Sequence, residues 1–207
     1  MRLLIAIPCM DTVRYEFAES LANLCKHLSD IGIDYDLKWH ATSIIYMARN
    51  ELADYAINED YDYVLWLDSD MSFTPDVFDL LYGLKVPFAT GCYRTRRPPY
   101  CFVMERVDDP SLRVDKLPNE PFDVYACGFG LVLITKEALY QIRAAHGTIF
   151  TPTPDTGEDY AMCKRWRVMS QDNKIICHPN AIADHITYVK LRCDDPHFLV
   201  DYQEKRG

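Results

Sequence analysis

The chain has 207 residues, 49% hydrophobic and 26% charged, with a formal net charge of −9. That length supplies one well-buried core, and that balance excludes a disordered or fibrous polypeptide. The acidic excess disfavours nucleic acid as a partner, and no apolar run approaches the ~20 residues that cross a bilayer, so no transmembrane segment is expected.

Residues 3–9 form a continuous apolar run, broken around Pro8 and Asp11, as in a strand buried on both faces. With only Arg2 ahead of so short a stretch, a buried first strand fits better than a secretory signal, and a cytoplasmic location is expected. Phe17, Leu21, Leu24 and Leu28 recur at helical spacing up to Gly32. Residues 33–39 predict a second strand, and residues 44–57, carrying Ile45, Ala48, Leu52, Tyr55 and Ala56, a second helix. Residues 63–67 are a third apolar strand that ends in Asp68-Ser69-Asp70. Thr74-Pro75-Asp76 reads as a helix start, with a capping hydroxyl ahead of a stripe of Val77, Leu80, Leu81 and Leu84. A fourth strand follows over residues 86–92. The alternation predicts an α/β fold: one domain, with a mainly parallel twisted sheet flanked by helices and the site beyond the carboxyl ends of the strands.

Residues 94–100 are basic and proline-bearing, residues 101–107 alternate like an edge strand, and residues 108–121 are a polar loop. Residues 124–127, Gly128-Phe129-Gly130 and residues 131–134 read as strand, bend, strand, and a small second sheet is expected beside the main one. Thr135-Lys136-Glu137 opens a helix carrying Leu139 and Ile142, and Gly157-Glu158-Asp159 opens another that runs through Trp166. Residues 175–177 and 181–183 predict two last short strands. The eight cysteines, at positions 9, 25, 92, 101, 127, 163, 177 and 193, show no CxxC spacing and lie mostly in apolar segments, so they read as reduced core residues.

Asp68 and Asp70 stand two residues apart, so on an extended backbone both carboxylates project to one side. A divalent cation relieves their repulsion, and oxygen ligands suit magnesium or manganese. A solvated acidic turn is the plainer reading, against which stands the buried strand directly before it. Glu158-Asp159 at a helix start is equally explained by the helix dipole, and His185 alone by packing. Arg94, Arg96 and Arg97 could meet an anion, with Tyr100 as a stacking ring beside them, or form a solvated basic loop. Lys190 and Arg192 could bring a cation to the same site on a closing tail. Trp66 reads as core, and Trp39 and Trp166 as core or as exposed stacking rings.

Taken together these segments resemble the GT-A type of glycosyltransferase, especially its broad family-two group. The resemblance rests on Ile5-Ala6-Ile7-Pro8, Ala48-Arg49-Asn50, residues 65–71 with Thr74-Pro75-Asp76, residues 126–134, Gly157-Glu158-Asp159 and His185. It implies a nucleoside-diphosphate-sugar donor, a Mn2+ or Mg2+ cofactor, and an acceptor whose identity stays open. It implies residues 1–92 as the nucleotide-sugar-binding half and residues 93–207 as the acceptor-binding and catalytic half. By the same resemblance, Asp70 and His185 bind the metal and Asp68 holds the ribose or a metal-bound water. Arg49 and Pro8 lie at the nucleotide, Asp159 is the base and Glu158 positions acceptor or helix. Inversion at the anomeric carbon is expected. Where family members carry Asp-Asp-Gly-Ser to read the base, this chain has residues 38–43, and Asp34 or Asp36 would have to substitute. A nucleotidyltransferase is the nearest enzymatic alternative, although a glycine-rich, lysine-bearing start is missing from residues 8–11. A haloacid-dehalogenase-type phosphatase would carry its Asp-x-Asp on the first strand, and a nucleotide- or carbohydrate-binding protein without turnover would have no need of Asp159.

Overall fold

A computed structural model describes residues 1–187. Strand β1 (Arg2–Cys9) is followed by α1 (Tyr15–Asp30), β2 (Asp34–Ala41), α2 (Ile45–Asn58) and β3 (Tyr63–Leu67). Then come β4 (Met71–Phe73), α3 (Val77–Gly83), β5 (Phe88–Cys92), β6 (Met104–Glu105), β7 (Phe122–Asp123) and β8 (Ala126–Cys127). The described chain closes with β9 (Leu131–Thr135), α4 (Lys136–His146), α5 (Glu158–Met169) and β10 (Ile176–His185).

An eight-stranded sheet in the order β2-β1-β3-β9-β5-β10-β4, with β7 also on β10, forms the middle layer. β1, β2, β3, β5 and β10 run one way and β4, β7 and β9 the other. The sheet is therefore mainly parallel by direction but mixed in pairing, because β9 inserts antiparallel between β3 and β5. β1 shows why its sequence is apolar throughout: Leu4 and Ala6 pack toward α2 and α4, whereas Leu3, Ile5 and Ile7 pack toward α1 and α3, and all five are fully buried. Trp66 and Phe129 lie edge to face in the first of these cores. The small second sheet pairs β6 with β8.

Three local expectations are corrected. Thr74 makes no side-chain cap at α3, whose first turn is held by backbone bonds such as Val77 N–H to Thr74 O at 3.3 Å, and Phe78 rather than Leu80 is buried. The two last strands are one, β10, whose register on β5 shifts between Cys177 and Ile182. Between Asp70 and the expected helix start at Thr74 the sequence predicts no element, yet residues 71–73 form β4 on the far edge of the sheet. Trp166 is core, donating to Lys174 O at 3.1 Å, and Trp39 packs edge-on against Phe17 while staying 41% exposed. Among the described cysteines there is no disulfide, and Cys92, Cys127, Cys163 and Cys177 are buried.

Candidate active site

A cleft of about 580 Å³ opens where β1, β3, β5 and β10 end and α2 and α5 begin. Pro8, Arg49, Asp68, Asp70, Glu158, Asp159 and His185 all line it, so residues far apart in the chain share one space. The switch in strand order around β1 and β3 is the place where an open α/β sheet leaves such a crevice.

Asp68 and Asp70 reach it on a turn, because the chain leaves β3 at Leu67 and Met71 N–H donates to Asp68 O at 3.2 Å. The turn divides the two carboxylates between different partners, which an extended backbone would have kept on one side. Asp68 Oδ1 accepts from Arg49 Nη2 at 2.7 Å. Asp70 Oδ2 lies 2.7 Å from Arg96 Nη1 and 3.5 Å from His185 Nε2. His185 is brought there by β4: it pairs with Met71 across the antiparallel ladder, and Ile186 N–H donates to Asp70 O at 2.8 Å.

The His185 ring is fixed at both nitrogens. Nδ1 lies 2.9 Å from the Arg94 carbonyl, which can only accept, so Nδ1 carries hydrogen and Nε2 faces Asp70. A bare lone pair against a carboxylate is unfavourable, and a proton or a metal ion between them removes the conflict. Burial works to raise the Asp70 carboxyl, but His185 and the Arg96 charge outweigh it and hold it below the usual carboxylate range. Among the described residues no three His, Cys, Asp or Glu side chains converge as a complete metal cage. Asp70 and His185 still fit an ion shared with substrate: ligands at ~2.1 Å from one octahedral ion stand about 3 Å apart, and Mg2+-type sites take one or two protein groups plus phosphates. Asp68, engaged by Arg49, is not part of that pair.

Arg49 is 3% exposed and sits among Asp68, Glu158 and Asp159. Burial opposes its charge, yet these carboxylates outweigh that and raise its pKa. Its Nη1 lies 3.4 Å from Glu158 Oε1, within ion-pair reach but outside hydrogen-bond geometry, and its Nε has no acceptor. Asp159 opens α5 and is half-buried, its Oδ1 accepting from Tyr160 N–H at 2.7 Å. Burial pushes its carboxyl up to about 7; Arg49 pulls it down, and the charges of Glu158 and Asp68 push it further up. A carboxyl so poised can exchange a proton near neutrality.

Tyr93, directly after β5, is a lining residue that sequence reasoning missed; its only signal is its place at a strand's carboxyl end. Burial, with the charges of Asp68 and Asp159, pushes its phenol well above its usual range, and Gly130 N–H donates to its oxygen at 3.0 Å. A Cβ on Gly128 would stand 2.1 Å from that oxygen, which is why the bend before β9 is glycine.

The other expected residues divide. Asn50 is structural, accepting from Phe150 N–H at 2.8 Å. Asp36 accepts from Tyr61 Oη at 2.8 Å and Arg2 Nη2 at 3.1 Å, at the opposite end of β2 from the cleft, and Asp34 lies further still. Neither lines the cleft, whereas Thr42 and Ser43 do. Arg94 stacks on Phe102 and Tyr100 lines an adjoining chamber of about 400 Å³. Lys190, Arg192 and Cys193 lie outside the described residues.

The fold finds counterparts among solved structures. Over 95% of this chain and 100% of its own, A197 from STIV superposes with a TM-score of 0.58 at 18% identity. GalNAc-T7, solved with UDP, GalNAc and Mn2+, matches 89% of this chain and 38% of its own, with a TM-score of 0.51 at 15% identity. The fold is that of GT-A glycosyltransferases. A third GT-A-like match, a glycosyltransferase involved in glycosylation of the major capsid of PBCV-1, covers 100% of this chain and 99% of its own, with a TM-score of 0.50 at 10% identity. No protein-family model and no curated protein matches the chain in sequence.

Proposed function

We propose that this chain transfers a sugar from a nucleoside-diphosphate sugar to an acceptor hydroxyl, with Asp159 as the base. The observation that carries the reading is the convergence of Asp159, at the start of α5, with Asp68 and the Asp70–His185 pair in one cleft; burial, which raises its carboxyl to about 7, agrees with the role of base. The acceptor oxygen attacks the anomeric carbon as its proton passes to Asp159. The bond from that carbon to the diphosphate breaks, and the nucleoside diphosphate leaves with the electron pair. Attack from the face opposite the leaving group inverts the configuration.

Asp70 and His185 would hold a Mn2+ or Mg2+ ion, which supplies charge compensation at the departing diphosphate. Asp68, steadied by Arg49, faces the nucleotide, and Pro8 with Thr42 and Ser43 lines the base. Glu158 braces Arg49, so base and nucleotide site are tied through one buried cation. The GalNAc-T7 structure, solved with UDP and Mn2+, supports a donor and metal of these classes for a fold of this kind.

The test is transfer and donor hydrolysis with a panel of nucleotide sugars and manganese. Asp159→Asn should bind donor and lose turnover by ~10²–10⁴-fold, the usual contribution of a general base. Asp70→Ala should lose the manganese-dependent part of donor binding. Normal turnover by Asp159→Asn removes the base assignment, and donor binding without turnover by the parent chain would identify a binding protein instead.

A further inference from the structure

β2 is an edge of the eight-stranded sheet, and among the described residues it pairs with β1 alone. A strand edge offers a row of unpaired N–H and C=O groups, which monomeric proteins blunt with short strands, charged side chains, proline or bulges. β2 carries the charged Asp34, Asp36 and Lys38, but it is eight residues long, has no proline and keeps an unbroken register with β1. Its side chains alternate cleanly. Asp36, Lys38 and His40 face Tyr61, Tyr55 and Glu51 on the α2 side, and Tyr35 and Trp39 face Cys25 and Phe17 of α1. Leu37 and Trp39 remain 40% and 41% exposed.

We propose that β2 is a self-association edge, pairing antiparallel with β2 of a second copy of this chain about a two-fold axis at Leu37. The argument is charge complementarity along the strand. An axis at Leu37 sets Asp36 opposite Lys38, Asp34 opposite His40 and Tyr35 opposite Trp39, with Leu37 on Leu37. Asp36 and Lys38 then meet in two opposite-charge pairs, Asp34 faces the His40 ring, and every apolar side chain meets another apolar group on the same face. Moving the axis to Asp36 places two carboxylates face to face, and moving it to Lys38 places two ammonium groups so. An in-register parallel pairing matches each charge with itself, and a shift that mixes the faces sets polar against apolar. The Leu37 axis is thus the one central register the sequence favours. It joins two sheets into one and is isologous, as closed dimers are. The two clefts, at the carboxyl ends of antiparallel strands, point away from each other. One strand edge is a small contact beside the ~1,200 Å² of a standard interface, so the association should depend on concentration.

Sedimentation measures this directly, the monomer being 24.0 kDa. The parent chain should show a monomer–dimer equilibrium, and Leu37→Lys should be monomeric at every concentration tested. Lys38→Asp leaves positions 36 and 38 both acidic, and Asp36→Lys leaves both basic, so each alone should be monomeric. Mixed together the two should associate, because both 36–38 cross-strand pairs are then opposite in charge. Circular dichroism shows that each is folded, and should loss of the Tyr61 and Arg2 contacts unfold Asp36→Lys, the Leu37→Lys and Lys38→Asp chains carry the test. A parent chain that stays monomeric throughout, a Leu37→Lys chain that dimerises like the parent, or folded charge variants that ignore each other overturns the proposal.

Discussion

Asp159 carries a stability cost that its proposed chemistry explains. Its carboxyl is raised to about 7, so the folded chain holds that proton more tightly than the unfolded chain does. As pH rises from about 4, where an ordinary aspartate ionises, to about 7, stability is lost, and the loss is complete above that window. Its upper bound is roughly 4 kcal/mol, at ~1.4 kcal/mol for each tenfold in proton affinity. Asp159→Asn should therefore melt higher than the parent at pH ~8, with the gap closing as pH falls toward ~4, while turnover is lost. A melting curve at both pH values checks this; an Asn variant no more stable at the higher pH would remove the raised carboxyl from the account. For turnover the sign is reversed: activity should rise with pH through about 7, as the base loses its proton. Arg96 acts on the neighbouring carboxylate. It holds Asp70 at 2.7 Å while itself 54% exposed, so it competes with any cation that Asp70 would bind. A pair this open contributes ~1 kcal/mol at most, so Arg96→Ala should bind free Mn2+ up to about fivefold more tightly, as read by electron paramagnetic resonance. Unchanged or weaker Mn2+ binding would show that Arg96 is no competitor.

At the scale of elements, the legible parts are those whose signal is local. The apolar runs of β1 and β3 and the helical stripe of α1 stand in the structure where periodicity puts them. So does the Thr135 cap of α4, whose hydroxyl accepts from Ala138 N–H at 3.2 Å. What could not be read is pairing over long range. Nothing within residues 131–135 says that they run antiparallel between β3 and β5, and β4 is a strand only because β10 lies against it. That pairing is what sets His185 against Asp70, so the site's geometry was less legible than its residue types. The close approach at the β8–β9 bend gives a direct test. Gly128→Ala would drive a methyl to 2.1 Å from the Tyr93 hydroxyl, forcing the ring to move, at about 1–3 kcal/mol. Gly91→Ala should cost more, since its Cβ meets the Ala181 carbonyl at 2.6 Å as well as Leu131, and backbone cannot swing aside. Adding Tyr93→Phe should recover part of the loss in Gly128→Ala and none in Gly91→Ala; denaturation midpoints of the four variants decide it.

For the whole molecule, the cleft draws on β1, α2, the turn after β3, the end of β5, α5 and β10, which together span the sheet from residue 8 to residue 185. The alternation of apolar strands and helical stripes predicts an α/β domain, and it places the expected site beyond the carboxyl ends of the strands, where the cleft lies. The chain order of the carboxylates did not reveal that Arg49 would be the buried cation joining Asp68 and Glu158, because that junction exists only once α2 and α5 meet above the sheet. A site assembled from elements this far apart makes ligand binding and global folding one equilibrium. A ligand that binds only the folded chain adds ~2.7 kcal/mol at a hundred times its dissociation constant. At ~2–4 °C per kcal/mol for a chain of this size, the midpoint should rise by roughly 5–10 °C. The full rise should need a nucleoside diphosphate and Mn2+ together, the nucleotide alone giving a small one, since Asp70 and His185 supply only part of a coordination shell and the phosphates complete it. Asp70→Ala should keep a small nucleotide-dependent rise and lose the part that Mn2+ adds, whereas Asp159→Asn should keep both. A panel of uridine, guanosine, adenosine and cytidine diphosphates in this assay also ranks the base, which the Thr42–Ser43 wall leaves open to hydroxyl rather than carboxylate recognition. If no nucleotide raises the midpoint with Mn2+ present, the cleft is not a donor site, whatever the fold resembles.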